Sequence, residues 1–409
     1  MGIANAAQFK AFWALLVGCA AVLLMACKHQ PDAPANADLP ESVSAELYQS
    51  VFDELAAKGK QPPAAADIMA ALAQRLTATD QLDSAVACWA RVPSDDPRFG
   101  AEARRQQGLL LISLHHATEA EKNLREFIAL AQSGRSLPSE QVAEALDMLR
   151  FLLGVELRFE ERHGILRAIH VLEAADTNDA ITYCFPSVLR WNGEQAVHWL
   201  EEFLEQDPDD MVLRIALGRY RIGEGRLDEG EQILRACCDE RPGVLSAQAA
   251  LLACLYERAD WDQMDAKLRE LPAVESNEPW LLLRLRGHVH NHFGRFQEAA
   301  KAFTLAIEAD PSNGESYLGL GKALAGLQRQ EESETALRKA NVIARIQNRL
   351  GWIQVRPEDV AALWEVAELC EEIDLGSRAT VIARHILKLA PQHEEAQELL
   401  TRLATRPKE

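Results

Sequence analysis

Residues 278–314 read EPWLLLRLRGHVHNHFGRFQEAAKAFTLAIEADPSNG, and two helices are written into them. The spacing predicts the first over Pro279–His292, ending at a turn on Gly294. The second is predicted over Phe296–Ala309, where Asp310-Pro311 stops it because proline cannot continue a helix. Within the pair, Gly287 admits close approach of the two helices and Ala299 fills the narrow crossing. Phe303 and Ala306 pack the far end. One such hairpin cannot bury its own apolar face, so others must stand beside it.

The columns of this hairpin recur along the chain. A small residue in the first helix recurs as Ala73, Gly108, Cys184, Gly218, Gly287, Gly321 and Ala367. Twelve positions on stands a second small residue: Ala85, Ala120, Ala196, Gly230, Ala299, Ser333 and Ala379. Four further on comes a large apolar one: Trp89, Leu124, Leu200, Leu234, Phe303 and Leu337, with Ala383 a departure. The hairpin after Pro242 departs from both small columns with Leu252 and Met264, and keeps Leu268. Prolines close the units at Pro97, Pro208, Pro242, Pro311 and Pro391.

This order within a 34-residue period resembles the tetratricopeptide repeat. The resemblance covers roughly residues 63–404. It implies an all-α, right-handed superhelical solenoid of about eight helix-turn-helix hairpins with a C-terminal capping helix, occupying residues 45–409. Two places break the period. Residues 136–176 hold a helical pair without the small columns. The second helix of the 314 unit is expected to run on through ANVIARIQNRLGWIQ until Val355-Arg356-Pro357. A first helix is expected over Ala45–Lys58 and a charged last one over His393–Leu403.

Composition agrees with helices: 48% of residues are hydrophobic but only 6% aromatic, and β-branched runs of strand type are nearly absent. The formal charge of −19 repels phosphate backbones, which disfavours nucleic acid as a partner. Ala11–Ala26 (AFWALLVGCAAVLLMA) follows Lys10 as an apolar stretch about 24 Å long as a helix, short for a membrane crossing and suited to a signal segment. It ends in Leu24-Met25-Ala26-Cys27, which resembles the lipobox of bacterial lipoproteins. That resemblance implies a signal over residues 1–27 and lipidation at Cys27. With Lys28 where a retention aspartate would stand, it also implies an outer-membrane site facing the periplasm. Leu16-Val17-Gly18-Cys19 and an uncleaved, cytoplasm-facing anchor remain alternatives. Residues 28–44, KHQPDAPANADLPESVS, read as a disordered tether. The other six cysteines outside the signal (Cys88, Cys184, Cys237, Cys238, Cys254 and Cys370) follow no zinc or disulfide spacing. They are expected in helices as small core residues, with a Cys237–Cys254 bridge as the alternative.

No motif argues for an enzyme, a cofactor or a metal. Gly319-Leu-Gly321-Lys322 follows no strand, and Gly321 already has a packing role. His115-His116 reads as a turn. His288 and His292 share a helical face, which permits metal binding, but Arg284 one turn earlier opposes a cation there. What remains is a surface for another protein. In solenoids similar to this one the first helices line a concave groove that takes a peptide or helix. Stepping along those helices gives Ile181 and Phe185, then Ile215, Arg219 and Ile222, then Ala249, Ala253 and Tyr256. Arg284, His288 and His292 follow, then Leu318 and Lys322, then Trp364, Glu368 and Glu371. The candidate contact residues are Ile215, Arg219, Tyr256, Arg284, His288, His292, Leu318, Lys322 and Trp364. The three cations suit a partly acidic segment of a partner. The N-terminal reading has its own test. Cys27→Ser is expected to abolish radiolabelled palmitate incorporation and membrane retention while the helical circular dichroism stays unchanged; unchanged retention excludes Cys27 as the anchor.

Overall fold

The computed structural model describes residues 40, 42–58, 64–134, 136–171, 176–186, 193–272 and 278–405. The signal segment 1–27 with Cys27, and the tether as far as residue 39, lie outside the described residues. Twenty helices and no strand occur among the described residues. The described residues are all-α, and most of the helices pair into hairpins of the tetratricopeptide-like kind. Two compact units are distinguished along the chain, divided between Ala145 and Leu146.

One turn is repeated throughout. In each of eight helix-to-helix turns a single residue takes the left-handed conformation: Asp80, His115, Leu157, Gly225, Ala259, Gly294, Gln328 and Asp374, with φ between 54° and 78°. The amide of the next residue then donates to a carbonyl five positions back, as from Arg295 to His290 (2.9 Å) and from Leu375 to Cys370 (2.8 Å). That bond satisfies a carbonyl the helix end leaves open and folds the chain back on itself. The left-handed residue always stands five positions before the crossing column. Only two of the eight are glycine, so six turns hold a side chain where L-residues are disfavoured by about 1–2 kcal/mol.

The N-terminal unit contains α1 (Ala45–Lys58), α2 (Ala65–Ala78), α3 (Leu82–Trp89), α4 (Gly100–Ser113) and α5 (Ala117–Gln132). Its apolar centre joins Phe52, Leu72, Leu76, Ala85 and Trp89, each at most 1% exposed. In the α4/α5 hairpin a β-carbon on Gly108 would lie 2.6 Å from the Leu124 side chain. The small column and the large one sixteen positions later are thus two halves of one contact.

The boundary falls within α6 (Ser139–Val155), which is joined to α7 (Phe159–Val171) of the second unit by the Leu157 turn. The register puts Arg150 and Arg162 where other hairpins carry small residues. Arg162 is 4% exposed, and burial, helped by Arg150, pushes its pKa down to about 10. Then come α8 (Thr177–Cys184) and α9 (Gly193–Gln206), followed by the hairpins α10 (Met211–Gly223)/α11 (Leu227–Glu240) and α12 (Leu245–Glu257)/α13 (Trp261–Glu270). The hairpin α14 (Trp280–His292)/α15 (Phe296–Ala309) precedes α16 (Gly314–Gly326)/α17 (Gln330–Val355). The last hairpin is α18 (Val360–Glu372)/α19 (Gly376–Leu389), capped by α20 (Glu394–Ala404). The same contact recurs: added β-carbons on Gly218, Gly287 and Gly321 would each lie 2.7 Å from Leu234, Phe303 and Leu337 respectively. Phe303 also presses on Gly319 of the next hairpin, which accounts for that glycine as packing. The six cysteines among the described residues are buried free thiols, Cys237 and Cys254 included. The 26-residue α17 runs through the expected extension.

One expected hairpin differs. Cys184, Ala196 and Leu200 fit the columns, yet α8 stops after eight residues while the other first helices of this unit from α10 onward run thirteen. Pro186 is the reason: it has no amide to donate and its ring clashes with the preceding turn. Cut short, α8 packs elsewhere. Ala180, Ile181, Cys184 and Phe185 join the apolar cluster of α16 to α20, beside Tyr317, Cys370 and Ile382.

Gly287→Ala is expected to lower stability by about 1–3 kcal/mol, because the methyl collides with a ring wedged on both sides. Gln328→Gly is expected to raise it by about 0.5–1 kcal/mol by relieving the left-handed turn. Urea melts of both variants check the pair of opposite signs.

Candidate partner-binding face

The face begins with what the hairpin stacking exposes. Each first helix turns its small column towards its second helix, so the side chains a turn away on the opposite side are left uncovered. Leu318 and Lys322 stand one turn apart on α16; Leu318 is 44% exposed and Lys322 is exposed as well. Lys322 has no ion-pair partner among the described residues. Arg284 on α14 reaches across to Glu315 at the start of α16, forming a short ion pair, and its guanidinium lies 5.4 Å from the Trp280 ring centre. The first helix of the preceding hairpin, α12, contributes Tyr256, half-buried, with its ring 5.0 Å from His288.

His288 is enclosed by that ring and by the edge of Phe303 at 5.1 Å. Burial, with Arg284 and Lys322 adding to it, pushes its pKa down to about 4. The imidazole is therefore neutral at neutral pH, and its Nε2 has no hydrogen-bond partner. His292, one turn on, lies flat on Trp261 at 4.4 Å and 9°. The two rings, which share a helical face, thus lie against different neighbours. No group of three or more His, Cys, Asp or Glu side chains that could hold a metal ion occurs among the described residues. Beside Trp261 and His292 lies a hollow of about 490 Å³, also lined by Arg258 and Asp260. Trp261 and Glu315 are parts of this face that the sequence reading passed over. Trp261 opens a second helix rather than lying on a first, and Glu315 stands 31 positions from the arginine it holds.

Two candidate residues, Ile215 and Arg219, stand differently from their expected place. Ile215 is 6% exposed and belongs to the apolar cluster between α10, α11 and α12. Arg219 is covered by the α6–α7 turn: its Nη1 donates to the Leu157 carbonyl at 2.8 Å and its guanidinium lies 5.5 Å from the Phe159 ring. Burial lowers its pKa, against the attraction of Glu160. Trp364 is half-buried at the C-terminal end, 5.3 Å from His393. Ile181 and Phe185, also read as groove lining, are fully buried in the chain's own core. The structure therefore gathers Tyr256, Arg284, His288, Leu318 and Lys322 on one surface, with His292 beside Trp261.

Removing the arginine that the Leu157 turn rests on tests this division. Arg219→Leu is expected to cost about 1–3 kcal/mol, the loss of a charge-assisted bond to a partly buried carbonyl. A residue that only met a partner would leave the chemical denaturation midpoint unchanged.

Comparison with known proteins locates the repeat. A tetratricopeptide-repeat family model matches residues 285–313, the body of the α14/α15 hairpin. No curated protein matches the chain. Among solved structures, MamA of AMB-1 is 23% identical with a TM-score of 0.31, over 37% of this chain and 90% of its own. A human IFIT1 dimer with PPP-AAAA is 14% identical with a TM-score of 0.32, over 89% and 95%. Yeast Tom70 is 12% identical with a TM-score of 0.27, over 83% and 88%. At these scores the likenesses carry no argument about a partner.

Proposed function

We propose that this chain, a tetratricopeptide-repeat protein and hence a protein–protein interaction scaffold, holds an extended or helical segment of a partner on the Tyr256–Lys322 face. The observation that carries the reading is the pairing on α16 of an exposed leucine with an unpaired lysine, next to an arginine already holding a carboxylate. Leu318 and Tyr256 offer apolar contact area. Lys322 and Arg284 offer charge-assisted hydrogen bonds to acidic side chains. The scaffold is non-enzymatic. The Cys27 lipobox resemblance supports an anchor by lipid in the cell envelope, at the outer membrane and facing the periplasm, and so a role in envelope assembly. No described helix is long and apolar enough to cross a membrane.

A photo-crosslinking residue at Leu318, introduced in cells, tests the face. Crosslinked partner is expected with the otherwise native chain, and about tenfold less with Arg284→Gln plus Lys322→Glu. The melting temperature of that double variant is expected to stay within about 2 °C, since both side chains are partly or fully solvated and surface pairs contribute little. Equal crosslinking by both proteins would place partner binding elsewhere.

A further inference from the structure

Between Glu334 and Glu358 the sequence TALRKANVIARIQNRLGWIQVRP holds five arginine and lysine residues and no acidic one, in a chain whose formal charge is −19. Nearly all of it lies on α17, whose 26 residues reach past α16 and pack on α18 as well. One side of the helix, with Val342, Ile346, Leu350 and Ile353, is buried in the cluster it shares with α18 and α19. Beside that side Arg338, Arg345, Arg349, Trp352 and Arg356 follow at intervals of seven, four, three and four. Those intervals set them in one row about 27 Å long. Arg349 is half-buried and the other four are exposed.

The row is uneven in what it already holds. Arg345 meets Glu372 of α18 at 3.6 Å, and Arg349 pairs with Glu365 of the same helix. Exposed pairs of this kind contribute little and exchange readily. Arg338 and Arg356, at the two ends, have no ion-pair partner among the described residues. Trp352 is 44% exposed and Val355, three positions on, is 79% exposed. The Trp352 ring is fixed where it stands: its Nε1 donates to Asp359 at 2.9 Å, and the Arg356 guanidinium lies 4.4 Å from its centre. On the flank away from α18, Asn348 and Gly351 are exposed, and a β-carbon on Gly351 would meet nothing within 4 Å.

We propose that this row is a second binding site and that it takes an acidic amphipathic helix of a partner protein. The sign follows from the cations, and the helical form from their spacing. A helix laid along α17 meets them with carboxylates that repeat at the same intervals, as charged flanks do between paired helices. Trp352 and Val355 give an apolar anchor that sets its register. Arg345 and Arg349 exchange one carboxylate for another, so the net attraction comes from Arg338 and Arg356. An anionic membrane fits less well. A planar surface wide enough to cover the row also covers Glu365, Glu368 and Glu372 beside it, whereas a helix about 10 Å wide rests on the row alone. No residue of the Tyr256–Lys322 face belongs to the row, so this site does not rest on that reading.

The probe is a labelled helical peptide of three heptads, with leucine at the first and fourth positions of each, glutamate at the fifth and seventh, and alanine elsewhere. It is expected to bind the full chain about tenfold more tightly than the same peptide with lysine in place of glutamate. Arg338→Glu with Arg356→Glu is expected to weaken binding about tenfold and to leave the melting temperature within about 2 °C, because both side chains are solvated and unpaired. Gly351→Glu, whose added side chain touches nothing in the chain itself, is expected to weaken it as much. No binding by the native chain, equal binding of the two peptides, or binding unchanged in both variants would overturn the proposal. Vesicles of phosphatidylcholine and phosphatidylglycerol are expected not to pellet the chain. Pelleting that the double variant abolishes would make the row a membrane surface and overturn it too.

Discussion

The contact on which the rest depends is that of a residue with little or no side chain facing a large apolar one sixteen positions later. Gly108 with Leu124, Gly218 with Leu234, Gly287 with Phe303 and Gly321 with Leu337 are the same contact four times. It sets how closely two helices approach, and close approach leaves the outer flank of each first helix uncovered. Phe303 carries it furthest, because its ring lies against Gly287 of its own hairpin and Gly319 of the next. Intra-hairpin and inter-hairpin packing therefore share one side chain, and His288 is held against the same ring. The exposed face and the buried spine are consequences of one another.

The turn is the second constraint. A left-handed residue followed by an amide bonded five positions back returns the chain at a fixed angle, eight times over. Its geometry is obligatory, but its residue is not: aspartate, histidine, leucine, alanine and glutamine all serve beside glycine. The backbone strain at each is small compared with the packing that the return makes possible, so tertiary contacts override the local preference. Leu157 shows the link to the surface. Its carbonyl is what Arg219 holds.

How much of this was legible follows from range. The small and large columns are local within a hairpin and recur, so the sequence displays them and the fold can be read directly. The turn register is equally periodic but is masked by its varied residues; a search for glycine finds only Gly225 and Gly294. Pro186 argues against a full α8/α9 hairpin, while Cys184, Ala196 and Leu200 fit the columns of one. The cover over Arg219 comes from 62 positions earlier, and the seat of α8 from 194 and 208 positions later. Pairings that occur once leave no period, and residues such as Ile181 and Phe185 look the same whether they line a groove or fill a core.

The ion pair between Arg284 and Glu315 bears on what kind of partner the exposed face can select. Arg284 already has a carboxylate, so an acidic partner would exchange one carboxylate for another, a step close to neutral in electrostatic free energy. Discrimination must then come from groups without a partner of their own. Lys322 is one; it is solvated, so its attraction acts mainly on encounter and weakens with salt. Leu318 is the other, and apolar area is insensitive to such screening. A segment that places an acidic residue at Lys322 and an apolar one at Leu318, about one helical turn apart, satisfies both at once. A uniformly acidic segment meets only the screened half of the face, and the overall charge of −19 repels it before it arrives.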